Sequence, residues 1–340
     1  MIYGILRYPH PNSRYYESTR TLLSNEFQIL MNAAGEKYEM IGYKTIGGVE
    51  LFCFSLEVPL KERTLKILHR ISSLHILFEI RDESSLVPLN DGRSSYFKDD
   101  MASILKYSGK TNEEFTAMMI NIGVFSSDFA EKYDTPLTVF DPMCGRGTTL
   151  FKSLIMGYNA SGIDIDKNDV SEINQYMKRY LKYHMYKHEA EHQTINMFGE
   201  HKGTKYTIIT ADTKENYKAK DVRVIQFAQG DTRESNCFFR KEQFHIFVTD
   251  LPYGVQHSST SATKFVDILA LLKSSAKEWH LLLKKGGAGV IAYNTHHIGR
   301  TEISEVFRKA GFEVLEHSPY DGFEHWVEQA VNRDLLIVRK

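Results

Sequence analysis

The chain has 340 residues, 42% of them hydrophobic and 25% charged, with a formal net charge of −1. That is the composition of an ordinary soluble protein with a substantial core, long enough for two domains. The near-neutral charge excludes an electrostatic footprint for bulk nucleic-acid binding, so a nucleic-acid substrate has to be held by a local patch.

Arg7, Pro9, His10, Pro11 and Arg14 interrupt the first twenty residues, which leaves no signal-peptide apolar stretch. No later run reaches membrane-spanning length. Cys53, Cys144 and Cys237 are few and widely spaced, which fits a reducing cytoplasm and no disulfide framework.

Taken in chain order, residues 1 to 95 read as a separate α/β unit. Ile2–Arg7 is a short strand, Tyr16–Asn32 has helical spacing, and Tyr38–Tyr43 and Val49–Leu56 are strands around a Gly47-Gly48 turn. Lys61–Ser72 reads as a helix and His75–Ile80 as a strand, with the polar stretch Asp82–Asp100 as linker. Residues 96 to 340 then alternate helix and strand. Helices are expected over Asn112–Val124, Thr148–Met156, Val170–His192, Lys264–Leu283 and Glu302–Ala310. Strands are expected over Pro136–Phe140, Asn159–Asp164, Val222–Ala228, Phe244–Thr249, Gly289–Tyr293, Phe312–Glu316 and Asp334–Val338. This alternation argues for a parallel sheet covered on both faces, closed by an antiparallel hairpin of the last two strands. The polar stretch 199–220 reads as an insertion.

Two segments carry the chemistry. Asp141-Pro142-Met143-Cys144-Gly145-Arg146-Gly147-Thr148-Thr149-Leu150 follows an apolar strand and opens a helix. Gly145 and Gly147 let the backbone turn and approach a ligand closely, and the helix N-terminus offers free N–H groups. Asp164, at the end of the next strand, is placed to accept from ribose hydroxyls, with Asp166 the weaker choice because a strand alternates its faces. Asp231, after the third strand, is placed to accept from an adenine amino group. Leu150 stands where the dinucleotide fingerprint needs its third glycine, which disfavours NAD.

The second segment is Thr249-Asp250-Leu251-Pro252-Tyr253-Gly254, at the end of the fourth strand. An exocyclic amine on a base is a poor nucleophile because its lone pair is delocalised into the ring. The Asp250 carboxylate and the Leu251 carbonyl are two acceptors for its two hydrogens, and the Tyr253 ring is a stacking platform for the base. A base in a duplex has to be flipped out to reach such a site.

Together these segments resemble the class I amino-methyltransferases, and most closely the RNA methylases related to tRNA guanine-N2 methyltransferases. That group carries Asp-Pro-Phe-Cys-Gly-x-Gly, Gly-x-Asp-Ile-Asp and Thr-Asp-Pro-Pro-Tyr-Gly, matched here by Asp141–Gly147, Gly162–Asp166 and Thr249–Gly254. The resemblance spans residues 100 to 340. It implies a seven-stranded Rossmann-like α/β methyltransferase sheet, with the smaller N-terminal α/β unit as a substrate-binding module.

The resemblance also implies S-adenosylmethionine as cofactor. Its site would be formed by Thr111, Asn112, Asp141, Met143, Cys144, Gly145, Gly147, Asp164, Ile165, Asp231 and Thr232, with Asp250, Leu251, Pro252 and Tyr253 at the amine. The implied substrate is a nucleic acid, tRNA guanine N2 first, with a DNA adenine or cytosine amine as the alternative. A non-catalytic cofactor-binding scaffold is the alternative from another class. Leu251 and Met143 depart from the usual Pro and Phe, and residues 1 to 95 carry no match to the THUMP domain found beside many such methylases.

Other patterns are weighed against plainer ones. His188-Glu189-Ala190-Glu191-His192 fits a zinc-protease signature if helical, against a solvated helix face. Tyr176, Tyr180, Tyr183 and Lys187 recur at helical spacing, either gripping RNA or packing on the sheet with wet lysines. Arg7, Arg14 and Arg20 with Tyr15 and Tyr16 pose the same choice. His296 and His297 either line the pocket mouth or occupy an ordinary loop.

Overall fold

The computed structural model describes residues 1–10, 12–82, 85–90, 95–105, 110–197, 199–252 and 267–340. It divides into two compact units, residues 1–94 with 316–333, and residues 95–315 with 334–340. The expected domain limits, 1–95 and 96–340, put 316–333 in the C-terminal domain; the structure groups that segment with the first unit.

The first unit runs β1 (Ile2–Arg7), α1 (Ser13–Ala34), β2 (Tyr38–Ile46), β3 (Val49–Leu56), α2 (Glu62–Leu68), β4 (Leu74–Ile80) and β5 (Leu86–Leu89). The sheet order is β2-β3-β1-β4-β5, with every neighbouring pair antiparallel. This is the split β-α-β connectivity of ferredoxin-like units. Asn12 starts α1 by accepting from the Tyr15 N–H, and Phe27, Leu30, Phe52 and Phe54 fill the space beneath it. β5 lies in the stretch expected to be linker. It is four residues long and pairs with β4 at the sheet edge, too short to leave a periodic signature.

Arg7 settles one open choice. It is buried, its Nη1 donates to Tyr16 O and Thr19 Oγ1, and its Nη2 pairs with Glu50 at 2.7 Å. Arg20 pairs with the same carboxylate at 2.7 Å and lies over the Tyr43 ring. Both guanidinium groups are therefore engaged within the unit. Arg14 stands over the Trp326 ring, 4.5 Å from its centroid.

The second unit continues with α3 (Asp100–Ser103), α4 (Glu113–Phe125), β6 (Thr138–Asp141), α5 (Thr148–Ile155), β7 (Asn159–Asp164), α6 (Lys167–Tyr183), β8 (His188–Met197), β9 (Glu200–Thr210), α7 (Lys214–Lys218) and β10 (Arg223–Gln229). Then come β11 (Phe244–Asp250), α8 (Ile268–Leu282), β12 (Leu283–Asn294), α9 (Arg300–Lys309), β13 (Glu313–Leu315) and β15 (Val331–Arg339), while β14 (His325–Glu328) falls in the segment grouped with the first unit. The strand order is β13-β15-β12-β11-β6-β7-β10-β9-β8, with β14 beside β15. The seven expected strands form the contiguous block β10-β7-β6-β11-β12-β15-β13. β6, β7, β10, β11 and β12 pair in parallel, while β13 and β15 pair antiparallel. Phe140 of β6 stacks on Phe244 of β11 at 4.4 Å, and Phe247 sits among Trp279, Phe307 and Phe312 from α8, α9 and the chain after it.

The long helix expected over 170–192 stops at Tyr183, and the stretch 199–220, expected as an insertion, holds β9 and α7. β8 and β9 form a hairpin that extends the sheet beyond β10. β8 is exposed along most of its length, so its residues lack the apolar alternation that marks a strand. On this strand His188 and His192 are four residues apart, about 13 Å, too far to share one zinc ion. Among the described residues no His, Cys, Asp and Glu group is placed to hold a metal. Tyr176 and Tyr180 are buried, donating to Met101 O and Asp100 Oδ1, which favours packing; Tyr183 is exposed. No described helix is long and apolar enough to cross a membrane.

Candidate functional site

Strand register fixes what meets at the carboxyl rim. Asp141 is level with Gly162 on β7, Gln229 of β10 with Asp164, Phe140 with Phe247 of β11, and Asp250 with Ala292 of β12. Because these strands run parallel, Asp141, Asp164 and Asp250 all emerge at one edge, where open α/β sheets gather their ligands. The two sequence segments therefore share a rim.

The glycine loop is held from below and open at its tip. Met143 N donates to Asp141 Oδ1 at 3.1 Å, Cys144 N to Ile163 O at 3.0 Å, and Gly147 N to Cys144 O at 2.8 Å. Gly145 and Gly147 have φ of +47° and +88°, where a side chain is strained. A Cβ built on Gly145 meets nothing within 4 Å, whereas one on Gly147 comes within 3.2 Å of Ile173 and Phe151. Gly147 is thus needed for helix packing, and Gly145 faces free space of the kind a ligand occupies. Arg146 Nε pairs with Asp169 Oδ1 at 2.8 Å and ties the loop to α6.

Cys144 turns inward. It is buried among Leu150, Val170 and Ile173, and burial raises its thiol well above the ordinary range. Only its backbone is available to a ligand.

Asp164 has two duties. Its Oδ2 accepts from Gly145 N at 2.8 Å and its Oδ1 from Asp166 N at 2.9 Å, so it fastens the loop while facing the rim. Burial raises its pKa, and these two backbone bonds oppose the rise. Asp166 caps α6 by accepting from Asn168 N and Asp169 N. Ile165, between them, is 68% exposed. Asp231 is gripped by Arg233, whose Nε lies 2.9 Å from both carboxylate oxygens, and this holds its pKa below the usual range. Thr232 is buried, and its hydroxyl accepts from Trp279 Nε1 at 3.0 Å. Its side chain thus anchors α8 from within the core.

Asp141 is 3% exposed. Burial pushes its pKa up to about 7, although hydrogen bonds from the Thr149 side chain and the Met143 backbone favour the charged form. An unfolded aspartate titrates near 4. The folded protein therefore binds the extra proton, and its stability falls as pH rises from about 4 to about 7. Asp141→Asn should remove this loss, which is on the order of a few kcal/mol. Urea unfolding at pH 5 and pH 7.5 checks it: the wild type should weaken between the two and the variant should weaken less.

At the amine end, Asp250 Oδ2 accepts from Thr111 Oγ1 at 2.7 Å. Leu251 N donates to Ala292 O at 2.9 Å, and its side chain is buried in the core. Pro252 is exposed, and Tyr253 and Gly254 lie outside the described residues. Asn112 Oδ1 caps α4 by accepting from Glu114 N and Phe115 N. His296 and His297 are exposed in the turn after β12, with His296 N on Asn294 Oδ1. Sequence reading missed the Thr111–Asp250 bond, the Arg233 clamp and Lys110, whose Nζ donates to Ala102 O and pairs with Glu113. The motif Thr-Asn-Glu-Glu signals a helix start, but nothing local tells that its threonine meets a residue 139 positions away.

Seven strands in this order, a glycine loop after the first of them and an acid ending the fourth define a class I S-adenosylmethionine-dependent methyltransferase domain. The chain belongs to the RMKL-like methyltransferase-domain family, whose model matches residues 131–315. Among solved structures, a TehB-like SAM-dependent methyltransferase from Corynebacterium glutamicum is 13% identical, with 62% of this chain and 84% of that chain covered at a TM-score of 0.37. An rRNA methylase from Streptococcus thermophilus is 11% identical, with 62% and 90% covered at a TM-score of 0.34. No curated protein matches the sequence.

Proposed function

We propose that this methyltransferase acts on an exocyclic amine of an RNA base, guanine N2 in tRNA first among them. The observation that carries the reading is the placement of Asp250 on the rim that also bears the glycine loop, with one carboxylate oxygen held by Thr111. S-adenosylmethionine, when bound, supplies an electrophilic methyl group on sulfur. The residues present fit it: Gly145 opens onto free space, Asp164 is at hand for the ribose, and Ile165 offers an apolar face at the rim. Asp231, clamped by Arg233, takes the role of acceptor for the adenine amino group, and Asp141 is buried at the start of the loop.

In this reading Asp250 and the Leu251 carbonyl accept the two amine hydrogens and turn the nitrogen lone pair toward the methyl carbon. Tyr253 holds the base plane by stacking. Catalysis is then mainly alignment, which contributes roughly 7–11 kcal/mol in well-oriented systems. The choice of RNA and of guanine N2 rests on the resemblance of the three motifs. Incubation with labelled cofactor and separate pools of tRNA, ribosomal RNA and DNA tests it. Label in tRNA is expected, and label confined to DNA overturns the substrate assignment.

A further inference from the structure

We infer that Thr111 is a positioning residue for the target amine, acting through Asp250, rather than a contact of the cofactor's methionine end. The inference rests on the proposed role of Asp250. The Thr111 hydroxyl donates to Asp250 Oδ2 at 2.7 Å, bridging two segments far apart in sequence.

Thr111 is fixed from both sides. Before it, Lys110 Nζ is anchored on Ala102 O and Glu113. After it, Asn112 caps α4 through two N–H groups of the first turn, and Thr116 N closes that turn on Asn112 O. Asp250 is fixed by its strand, since Leu251 N is bonded to Ala292 O. A hydroxyl held this firmly removes one rotational freedom of the carboxylate and occupies one of its oxygens. The direction of the carboxylate that is to meet the amine is then set by Thr111.

This arrangement suits a primary amine in particular. In the proposed role the Asp250 carboxylate and the Leu251 carbonyl are the two acceptors for its two hydrogens. Without the Thr111 bond the carboxylate can rotate, and the acceptor loses its fixed direction. Fixed acceptors and donors act on the reacting geometry more than on ground-state affinity.

Three variants test this, each assayed for kcat, for substrate KM and for cofactor Kd by direct binding, on whichever nucleic-acid pool accepts label. Thr111→Val keeps the side chain's shape and removes the donor. It should lower kcat about tenfold or more, because hydrogen bonds to charged groups are among the stronger ones, while cofactor Kd stays within about twofold. Thr111→Ser restores the hydroxyl and should regain most of kcat. Asp250→Asn serves as the reference for the underlying reading. Wild-type kcat in Thr111→Val, or a loss that Thr111→Ser does not recover, overturns the inference, as does a weakened cofactor Kd, which would return Thr111 to the cofactor site. If Asp250→Asn itself turns over normally, the reading of Asp250 fails instead, so the two failures are distinct.

Discussion

Asp250→Ala is expected to lower methyl transfer by at least about 10²–10³-fold while leaving cofactor affinity within about twofold. The separation follows from the geometry. The carboxylates that fasten the glycine loop are Asp164, through Gly145 N, and Asp141, through Met143 N. Asp250 stands at the end of β11, and its Oδ2 is held by Thr111. Removing it takes away an acceptor for the amine and leaves the loop's own bonds in place. Single-turnover assays with labelled cofactor, paired with calorimetric binding, read the two quantities independently. Unchanged turnover would end the alignment mechanism at Asp250 and leave another residue as the acceptor for the amine.

The second large effect is expected at a residue that touches no ligand. A Cβ on Gly162 would lie 2.7 Å from Cys144 Cβ, 2.8 Å from its Sγ and 3.1 Å from Leu150 Cδ2. The two contacts with Cys144 are closer than real Cβ atoms approach and the one with Leu150 is tight, and the neighbours are tethered: Cys144 N is bonded to Ile163 O, and Leu150 of α5 is buried. Gly162→Val must therefore push the loop off β7. Overpacking of this kind costs about 1–3 kcal/mol, and the displaced loop should bind cofactor at least about tenfold more weakly, since an ångström-scale misplacement has effects of that order or larger. Thermal unfolding and cofactor titration of the same variant check both halves. Wild-type affinity in a folded Gly162→Val protein would show that the loop is not seated on Gly162 as described.

Much of this site was legible before any coordinates, for a physical reason. β6, β7 and β11 are buried central strands, and their apolar runs end in turn-forming and acidic residues exactly at the rim that ligands use, so strand ends and site residues are read together. The parts that escaped reading lack such a signature. β8 is an edge strand with both faces largely wet, and a polar stretch containing His188 and His192 reads equally well as a helix. β5 and β14 are four residues each, shorter than any window in which alternation can be counted. The inward turn of Cys144 depends on the missing side chain of Gly162 across the strand pair, and the engagement of Thr232 depends on Trp279 of α8. Those are tertiary facts, as is the bond between Thr111 and Asp250.

One crystal structure with S-adenosylmethionine or a stable analogue bound would probe the shared cleft without relying on turnover. The cofactor should span the Gly145 tip and Asp164, with its transferable group directed at the Asp250 carboxylate across a gap of about 6 Å, room for one amine nitrogen in hydrogen-bond and attack distance of both. A cofactor seated at the opposite rim of the sheet, or one whose reactive group points away from Asp250, would contradict the account.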